Sequence, residues 1–375
     1  MPLSGEGDLP VPLDADRIIT LDFKGHHLLE HVDDPIQKDL STVTRHGDSL
    51  FFSCDETAGV DRLTKSGKDT WGNHEHFNLG EMVDLPAGPK GEMDIEGLSV
   101  NGDWLWVCGS HGLKRDKPKL DRKGPKKALK RLSRIDGDEN RYFIGRFPLK
   151  KTKSGMEPCV EDGDRKALHV RLAKQPSKLK HWLRKDDHIA AFLDLPCKEN
   201  GFDIEGLAVK GNRLWLGLRG PVLRGHALII ELEMKEKNGF LKAKKIDGRA
   251  RYRKHFMELE GQGIRDLTID GQDLLILTGP TMDGDGASDL FRWKGGLAAT
   301  RSAVHPAPEK VCSLPYRGAL DHPEGITAWS GKGRWLVVYD SPAPERLDDD
   351  DQTVTADIFR VPKRGSSRAR SSGAR

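Results

Sequence analysis

The chain has 375 residues, of which 36% are hydrophobic and 32% are charged, so we expect a soluble protein that can bury a core. No run of about 18 apolar residues occurs, which excludes an ordinary membrane-spanning helix. Residues 1–12 lack the basic start and apolar run of a signal peptide, and the five cysteines show no CxxC spacing. These features predict a cytoplasmic protein with reduced thiols and no zinc site.

The formal net charge of +3 hides an uneven distribution. Residues 113–134 carry a net charge of +9 and the tail 361–375 carries +5, which leaves −11 for the rest of the chain. The sequence therefore predicts an acidic body with two basic appendages. From their composition, we expect residues 1–16 to be loose and the basic tail 362–375 to be disordered.

A predicted strand at 17–23 is followed by an acidic phrase that recurs along the chain. Each copy has an acidic start, a short strand, a turn containing glycine and an apolar strand, which is the pattern of a β-hairpin. Four clear copies and one degenerate copy occur, at 94–107, 203–216, 264–276, 322–338 and, in the degenerate form, 39–52.

Two further strands follow each hairpin, so each repeat predicts a four-stranded antiparallel sheet. Sheets repeated in this way are the blades of a β-propeller. We therefore predict an all-β fold, a β-propeller of five blades over 17–361, with six blades as the alternative. The last repeat supplies only three strands, and the strand at 17–23 would complete that blade and close the ring.

The spacing between the copies at 94 and 203 is roughly twice the others. Either an insertion or a blade with a decayed repeat explains it, and we favour the insertion. The gap contains the basic segment 113–134 and a helix-like segment near 176–186. Segments ending in Leu-Pro are predicted to be outer strands of the preceding blades, at 82–86, 192–196 and 311–315.

Four phrases resemble those of a bacterial β-propeller family of unknown function, domain of unknown function 3616: GSH (109–111), KENGFDIEGLAV (198–209), GLRGPVLRG (217–225) and LTGPTMD (277–283). The resemblance extends from the first strand to Val361 and implies a propeller fold without specifying its chemistry. The Glu-Gly-Leu phrase alone is similar to the phytase-like esterase propellers. That similarity implies a calcium-dependent or ester-hydrolysing site, but too few positions match for catalytic residues to be transferred.

Carboxylates at the start of the repeats are candidates for a metal site. The first strand of each blade lines the channel of a propeller, so we expect these residues to form an acidic ring at one mouth. The glycine that follows the acidic residue keeps side-chain bulk out of this crowded centre. Converging carboxylates either raise one another's pKa or hold a cation, and oxygen ligands alone suit Ca²⁺ or Mg²⁺.

The predicted metal ligands are Glu96, Glu205, Asp266 and Glu324. The residues predicted to extend the acidic mouth are Asp55, Asp94, Asp203 and Asp340. The alternative is that each carboxylate accepts backbone N–H bonds and fastens neighbouring blades together.

Arginines and one histidine complete the candidate site. Arg219, Arg224 and Arg265 are candidates for binding a phosphate or carboxylate of a ligand, and salt bridges to Glu205 or Asp266 are the simpler interpretation. Arg219 and His111 are the candidate catalytic residues, although a turn histidine is the simpler interpretation of His111. No Gly-x-Ser-x-Gly elbow occurs, so a hydrolytic triad is not predicted.

Two hypotheses of different classes follow. The first is a divalent-cation-dependent hydrolase that acts on a small anionic substrate, a phosphate or other ester, with a cation-bound water as nucleophile. The second is a non-catalytic interaction propeller that uses residues 113–134 to dock an acidic protein or nucleic acid. A propeller fold alone does not choose between them.

Overall fold

The computed structural model describes residues 13–23, 35–172, 177–282, 284–331, 333–348 and 352–361. The predicted disordered tail and most of the predicted loose N-terminus lie outside these ranges. The fold is all-β and propeller-like, because each repeat begins a run of hydrogen-bonded strands. No helix in the described ranges is long and apolar enough to cross a membrane.

Three of the sheets each contain one run of strands. In chain order, the second run consists of Ile95–Val100, Trp104–Gly109, Ile144–Lys151 and Met156–Pro158, with Leu168–His169 also beside its third strand. The third run consists of Asp203–Lys210, Arg213–Gly220, His226–Lys237 and Tyr252–Glu258, with Phe240–Ala243 and Ala303–Val304 as short additions. The fourth run consists of Gly263–Asp270, Asp273–Gly279, Asp289–Trp293 and Glu309–Ser313.

A larger sheet joins the first and last runs of the chain. The first run consists of Thr42–His46, Ser49–Ser53, Gly59–Lys65 and Thr70–Asn78. The last consists of His322–Ala328, Arg334–Asp340, Thr353–Arg360 and the N-terminal Arg17–Asp22, with Leu347–Asp348 as an addition. Arg17–Asp22 pairs antiparallel with Thr353–Arg360, as predicted from the sequence, and also pairs parallel with Thr70–Asn78.

The first strands of these runs lie side by side in the middle of the molecule. Each first strand contacts the next one in chain order, and the last, His322–Ala328, contacts the first, Thr42–His46. The three between them are, in order, Ile95–Val100, Asp203–Lys210 and Gly263–Asp270. Apolar side chains fill the space between neighbouring sheets, as Trp106, Ile204 and Leu216 do between the second and third runs. The acidic phrases are thereby gathered at one centre.

The glycines of the acidic phrases lie where neighbouring first strands come closest. A Cβ atom on Gly325 would lie 2.8 Å from the backbone nitrogen of Val43 and 2.9 Å from Cα of Thr42. A Cβ atom on Gly206 would lie 3.0 Å from the backbone nitrogen of Leu267. A side chain at either position would push the strands apart, which confirms the predicted reason for these glycines.

The long gap between two copies of the repeat contains short elements. In its described part, Ile144–Lys151, Met156–Pro158 and Leu168–His169 join the sheet of the second run, and no further four-stranded run occurs. The short elements are the strands Lys114–Arg115, Ile135–Asp136, Glu161–Asp162 and Arg165–Lys166 and the helices Leu120–Lys123, Pro125–Leu132 and Lys178–Leu183.

The prediction of outer strands at the Leu-Pro segments is correct at one site and wrong at two. Glu309–Ser313 is an outer strand, but 82–86 and 192–196 are not strands. The first segment follows the 3₁₀ turn Leu79–Glu81, and the second begins at the last residue of the 3₁₀ turn Ala190–Phe192. In the first run, Thr70–Asn78 already occupies the outer position, so the Leu-Pro segment has no strand to pair with.

We expect Gly325→Ala to lower the free energy of unfolding by about 1–3 kcal/mol, because the added methyl group meets the backbone of Val43. Gly284→Ala is the matched control, since no atom lies within 4 Å of a Cβ built there, and it should change stability by less than about 0.5 kcal/mol. Urea denaturation measures both. Equal losses for the two variants would contradict the close approach of the first strands.

Candidate functional site

One residue in each of four first strands bulges out of the strand pairing. The register skips Glu96, Glu205, Arg265 and Glu324, which occupy equivalent positions in the repeats. A bulge leaves its residue unpaired and redirects its side chain. The bulges therefore explain how side chains from separate sheets reach one another at the centre of the molecule.

Two arginines contact the carboxylates of two first strands, and one of these arginines, Arg265, belongs to the first strand that lies between them. The Arg219 guanidinium lies 2.6 Å from Asp203 and 2.7 Å from Glu205. The Arg265 guanidinium lies 2.9 Å from Glu205 and 2.8 Å from Glu324. The salt bridges to Glu205 that the sequence allowed are therefore confirmed. The arginine side chains are only 11% and 13% exposed, so water and salt screen these pairs weakly.

Asp266 fastens two first strands together. Its carboxylate accepts hydrogen bonds from the backbone N–H of Leu267 at 2.7 Å and from that of Ile326, on the next first strand, at 2.8 Å. Burial raises its pKa well above its ordinary range, although these N–H groups act in the opposite direction. The role of Asp266 as a metal ligand stays a prediction, and its geometry favours the structural alternative.

A compact acidic cluster consists of Asp55, Asp94 and Glu96. One carboxylate oxygen from each residue lies within 4.8 Å of those from the other two. Within the described ranges, the Glu96 side chain makes no hydrogen bond and no salt bridge. The bulged glutamate of the second run thus differs from Glu205 and Glu324, which both contact Arg265.

Neighbouring side chains hold the two aspartates of this cluster in place. Asp94 has a φ of 50°, which is uncommon for a residue other than glycine. Its carboxylate accepts a hydrogen bond from the Ser110 hydroxyl and lies 2.9 Å from the Arg141 guanidinium. Asp55 accepts a hydrogen bond from the Ser41 hydroxyl at 2.6 Å.

The three carboxyl groups of the cluster differ in their affinity for protons. Burial, followed by repulsion from Asp94, raises the pKa of Asp55 to about 6. Burial, followed by repulsion from Asp55, raises the pKa of Glu96 well above its ordinary value. Burial also acts to raise the pKa of Asp94, but Arg141 and Lys114 outweigh it and lower this pKa. Added positive charge would favour the ionised forms of Asp55 and Glu96.

Further carboxyl groups extend the acidic region. Burial, then repulsion from Asp55 and Asp340, raises the pKa of Asp39 to about 9, and the backbones of Asp39 and Asp340 form a β-bridge. Burial raises the pKa of Asp203 to about 7, against the effect of Arg219. The structure therefore brings the predicted residues Asp203 and Asp340 into the same acidic region.

Three residues of this region were missed as site residues. Asp39 starts the degenerate repeat and is equivalent to Asp94, so its position in the repeat could have identified it as a site residue. Lys114 and Arg141 belong to the insertion, where no repeat relates them to the other copies. The Lys114 amino group lies 3.7 Å from Asp94, and both cations also contact Glu92.

Two predicted residues lie apart from these contacts. His111 is 1% exposed, donates a hydrogen bond from Nδ1 to the Gly109 carbonyl and packs its ring against Tyr142. Burial lowers its pKa to about 3, so His111 is a weak base and the simpler role of a turn histidine is favoured. Arg224 is exposed in the turn between two strands, where its carbonyl accepts a hydrogen bond from His226.

Comparison with protein families shows that residues 39–357 match the model of a protein family of unknown function, DUF3616. Because the match covers most of the chain, the chain belongs to this family. No curated protein matches it.

Among solved structures, the glutaminyl cyclase of Myxococcus xanthus is 10% identical with a TM-score of 0.41, over 94% of this chain and 100% of that chain. A PQQ-bound aldose sugar dehydrogenase from Streptomyces coelicolor is 10% identical with a TM-score of 0.35, over 92% and 99%. A streptogramin B lyase is 10% identical with a TM-score of 0.32, over 91% and 98%. Similarity at this level carries no argument about function.

Asp55→Asn should stabilise the metal-free protein at pH 8 by about 1–2 kcal/mol but not at pH 4. The pKa of Asp55 is raised to about 6 in the folded state, so the folded protein binds this proton more tightly than the unfolded chain does. The free energy of unfolding therefore falls as pH rises from about 4 through about 6. Asparagine keeps an acceptor for Ser41 but cannot ionise.

Urea denaturation in a chelator at both pH values measures this difference. The exposed Asp187→Asn is the matched control and should show no such pH dependence. A stabilisation by Asp55→Asn that is equal at pH 4 and pH 8, or absent at pH 8, would contradict the burial of an uncompensated carboxyl group.

Proposed function

We propose that the runs of strands are the five blades of a closed β-propeller, and that the N-terminal strand closes the ring. Two observations support this proposal. Each first strand contacts the first strands of two neighbours in a continuous cycle. The last blade takes its fourth strand, Arg17–Asp22, from the opposite end of the chain.

We further propose that the acidic mouth binds one Ca²⁺ or Mg²⁺ ion through Asp55, Asp94 and Glu96. The observation that carries this proposal is Glu96, a largely buried carboxyl group beside two others, which no cation of the described ranges pairs with. A cation would relieve the repulsion that raises the pKa of Asp55 and Glu96. Three carboxylates without histidine or cysteine suit a hard cation.

The proposed function is that of a divalent-cation-dependent hydrolase acting on a phosphate or other ester of a small anionic substrate. The bound cation would supply an activated water and polarise the substrate oxygen. Arg141 and Ser110 would orient Asp94, since both contact its carboxylate. The Lys114 side chain lies near Asp94 and is 48% exposed, so it would contact an anionic substrate that enters the mouth.

Arg219 has a different role in this proposal from the catalytic one predicted from the sequence. Its guanidinium already lies against Asp203 and Glu205, so it would position these carboxylates rather than bind substrate. Glu205 and Glu324 would likewise form the compensated side of the mouth, because both contact Arg265.

Glu96→Gln should remove most of the divalent-cation binding and any cation-dependent hydrolysis. For the chelated wild type, Ca²⁺ or Mg²⁺ at 100 times its Kd should stabilise the fold by about 2.7 kcal/mol at pH 8. The gain should be smaller at pH 5, since protons then compete for Asp55 and Glu96. Thermal unfolding measures binding, and p-nitrophenyl phosphate and p-nitrophenyl acetate serve as substrates.

Glu258→Gln is the matched control, because Glu258 is exposed on an outer strand. It should retain the cation-dependent stabilisation. Cation binding that survives Glu96→Gln would contradict the assigned ligands. Cation binding without hydrolysis of either substrate would contradict the catalytic part of the proposal and leave a cation-binding propeller.

A second candidate function is docking of an acidic protein through the insertion. The helix Pro125–Leu132 is basic, and large apolar side chains are exposed on it and beside it: Leu120 (55%), Leu129 (72%), Leu132 (42%) and Ile135 (45%). Exposed leucines among lysines favour a partner that is both acidic and apolar, since nucleic acid would use the charge alone.

Lys126→Glu/Lys130→Glu should abolish binding of an amphipathic peptide of glutamate and leucine, because it reverses the charge of the helix. Leu129→Ser should weaken binding of the same peptide, because less apolar surface would be buried in the complex. Fluorescence anisotropy measures the peptide and, separately, a single-stranded oligonucleotide. Binding of the oligonucleotide but not of the peptide would contradict the protein partner.

A further inference from the structure

A second pocket lies away from the acidic mouth, between the second and third runs of strands. It has a volume of about 490 Å³, within the range of ligand sites. The helix Lys178–Leu183 forms one wall and the short strand Phe240–Ala243 forms another. The pocket shares no residue with the acidic region.

The charged residues that line this pocket are all basic: Arg171, Lys178, His181, Lys237, Lys242 and Arg251. None of them forms a salt bridge to a carboxylate within the described ranges. The nearby Glu236 instead pairs with Arg146 of the second run. The positive charge of the pocket is therefore left for an anion.

The pocket also offers an aromatic surface. Arg171 lies 4.4 Å from the centre of the Phe240 ring and covers it. Trp182 packs one side against the core, and in the described part of the chain no aromatic ring or cation stacks on it. A half-buried indole beside several cations suits a ligand that combines a planar ring with phosphate.

We propose that this pocket binds a nucleotide phosphate, either free or at the end of a single strand. Lys237 and Lys242 contact the phosphate, and the base stacks on Trp182. Inorganic phosphate or a lipid headgroup offers no ring for Trp182. The expected affinity therefore depends on both parts of the ligand and falls with added salt.

Isothermal titration calorimetry of the full chain with ADP, inorganic phosphate and a 5′-phosphorylated thymidine octamer tests this proposal. Lys237→Glu/Lys242→Glu should weaken ADP binding at least about tenfold, because it reverses two charges that face the phosphate. Trp182→Leu should weaken the binding of ADP but leave the binding of inorganic phosphate unchanged. The matched control, Lys150→Glu/Lys151→Glu, changes two exposed lysines outside the pocket and should leave ADP binding unchanged.

Octamer binding tighter than that of ADP, and lost in the same pocket variants, would support the strand end as the source of the phosphate. The proposal is overturned if ADP does not bind at millimolar concentration, if the pocket variants bind it normally, or if inorganic phosphate binds as tightly as ADP. If circular dichroism shows that the glutamate variant is unfolded, Lys237→Gln/Lys242→Gln replaces it.

Discussion

The centre of the molecule depends on two arginines that separate carboxylates brought together by repetition. Equivalent positions of the repeat converge, so a glutamate in every copy would place like charges against one another at low dielectric. Arg265 replaces the glutamate in one copy and lies between Glu205 and Glu324, while Arg219 lies between Glu205 and Asp203. Loss of one partner from a buried pair of this kind typically costs about 3–5 kcal/mol, so these contacts hold three first strands in register.

This compensation ends at the second run, and the candidate site begins there. Burial, followed by repulsion from neighbouring carboxylates, raises the pKa of Asp55 and of Glu96, whereas Arg141 and Lys114 lie against Asp94. Both cations come from the insertion between Trp104–Gly109 and Ile144–Lys151, which also carries the exposed basic helix. One segment thus places two cations beside Asp94 and also carries the exposed basic helix. This asymmetry distinguishes the second run from the other repeats and is the basis of the proposed cation site.

The repeated acidic phrase was sufficient to predict the hairpins and the meeting of their carboxylates, because equivalent residues of stacked units occupy equivalent places. It also predicted why glycine follows the acidic residue, since a side chain at Gly206 or Gly325 would meet the backbone of a neighbouring strand. The sequence did not predict which carboxylates pair with arginine, which accept backbone hydrogen bonds and which stay unpaired. These differences depend on bulges and on contacts such as that of Asp266 with Ile326. Arg141 carries no repeat signal, and the Leu-Pro segment at 82–86 contains no information about which strand already occupies the outer position.

The part of the acidic mouth that no arginine or lysine of the described ranges contacts, at Glu96, is the proposed cation site. Its most direct test is anomalous diffraction at the manganese edge from crystals of the protein soaked in Mn²⁺. We expect one strong peak about 2.0–2.6 Å from carboxylate oxygens of Asp55, Asp94 and Glu96. An acidic mouth without such a peak, with Glu96 instead contacting a lysine or arginine, would contradict it.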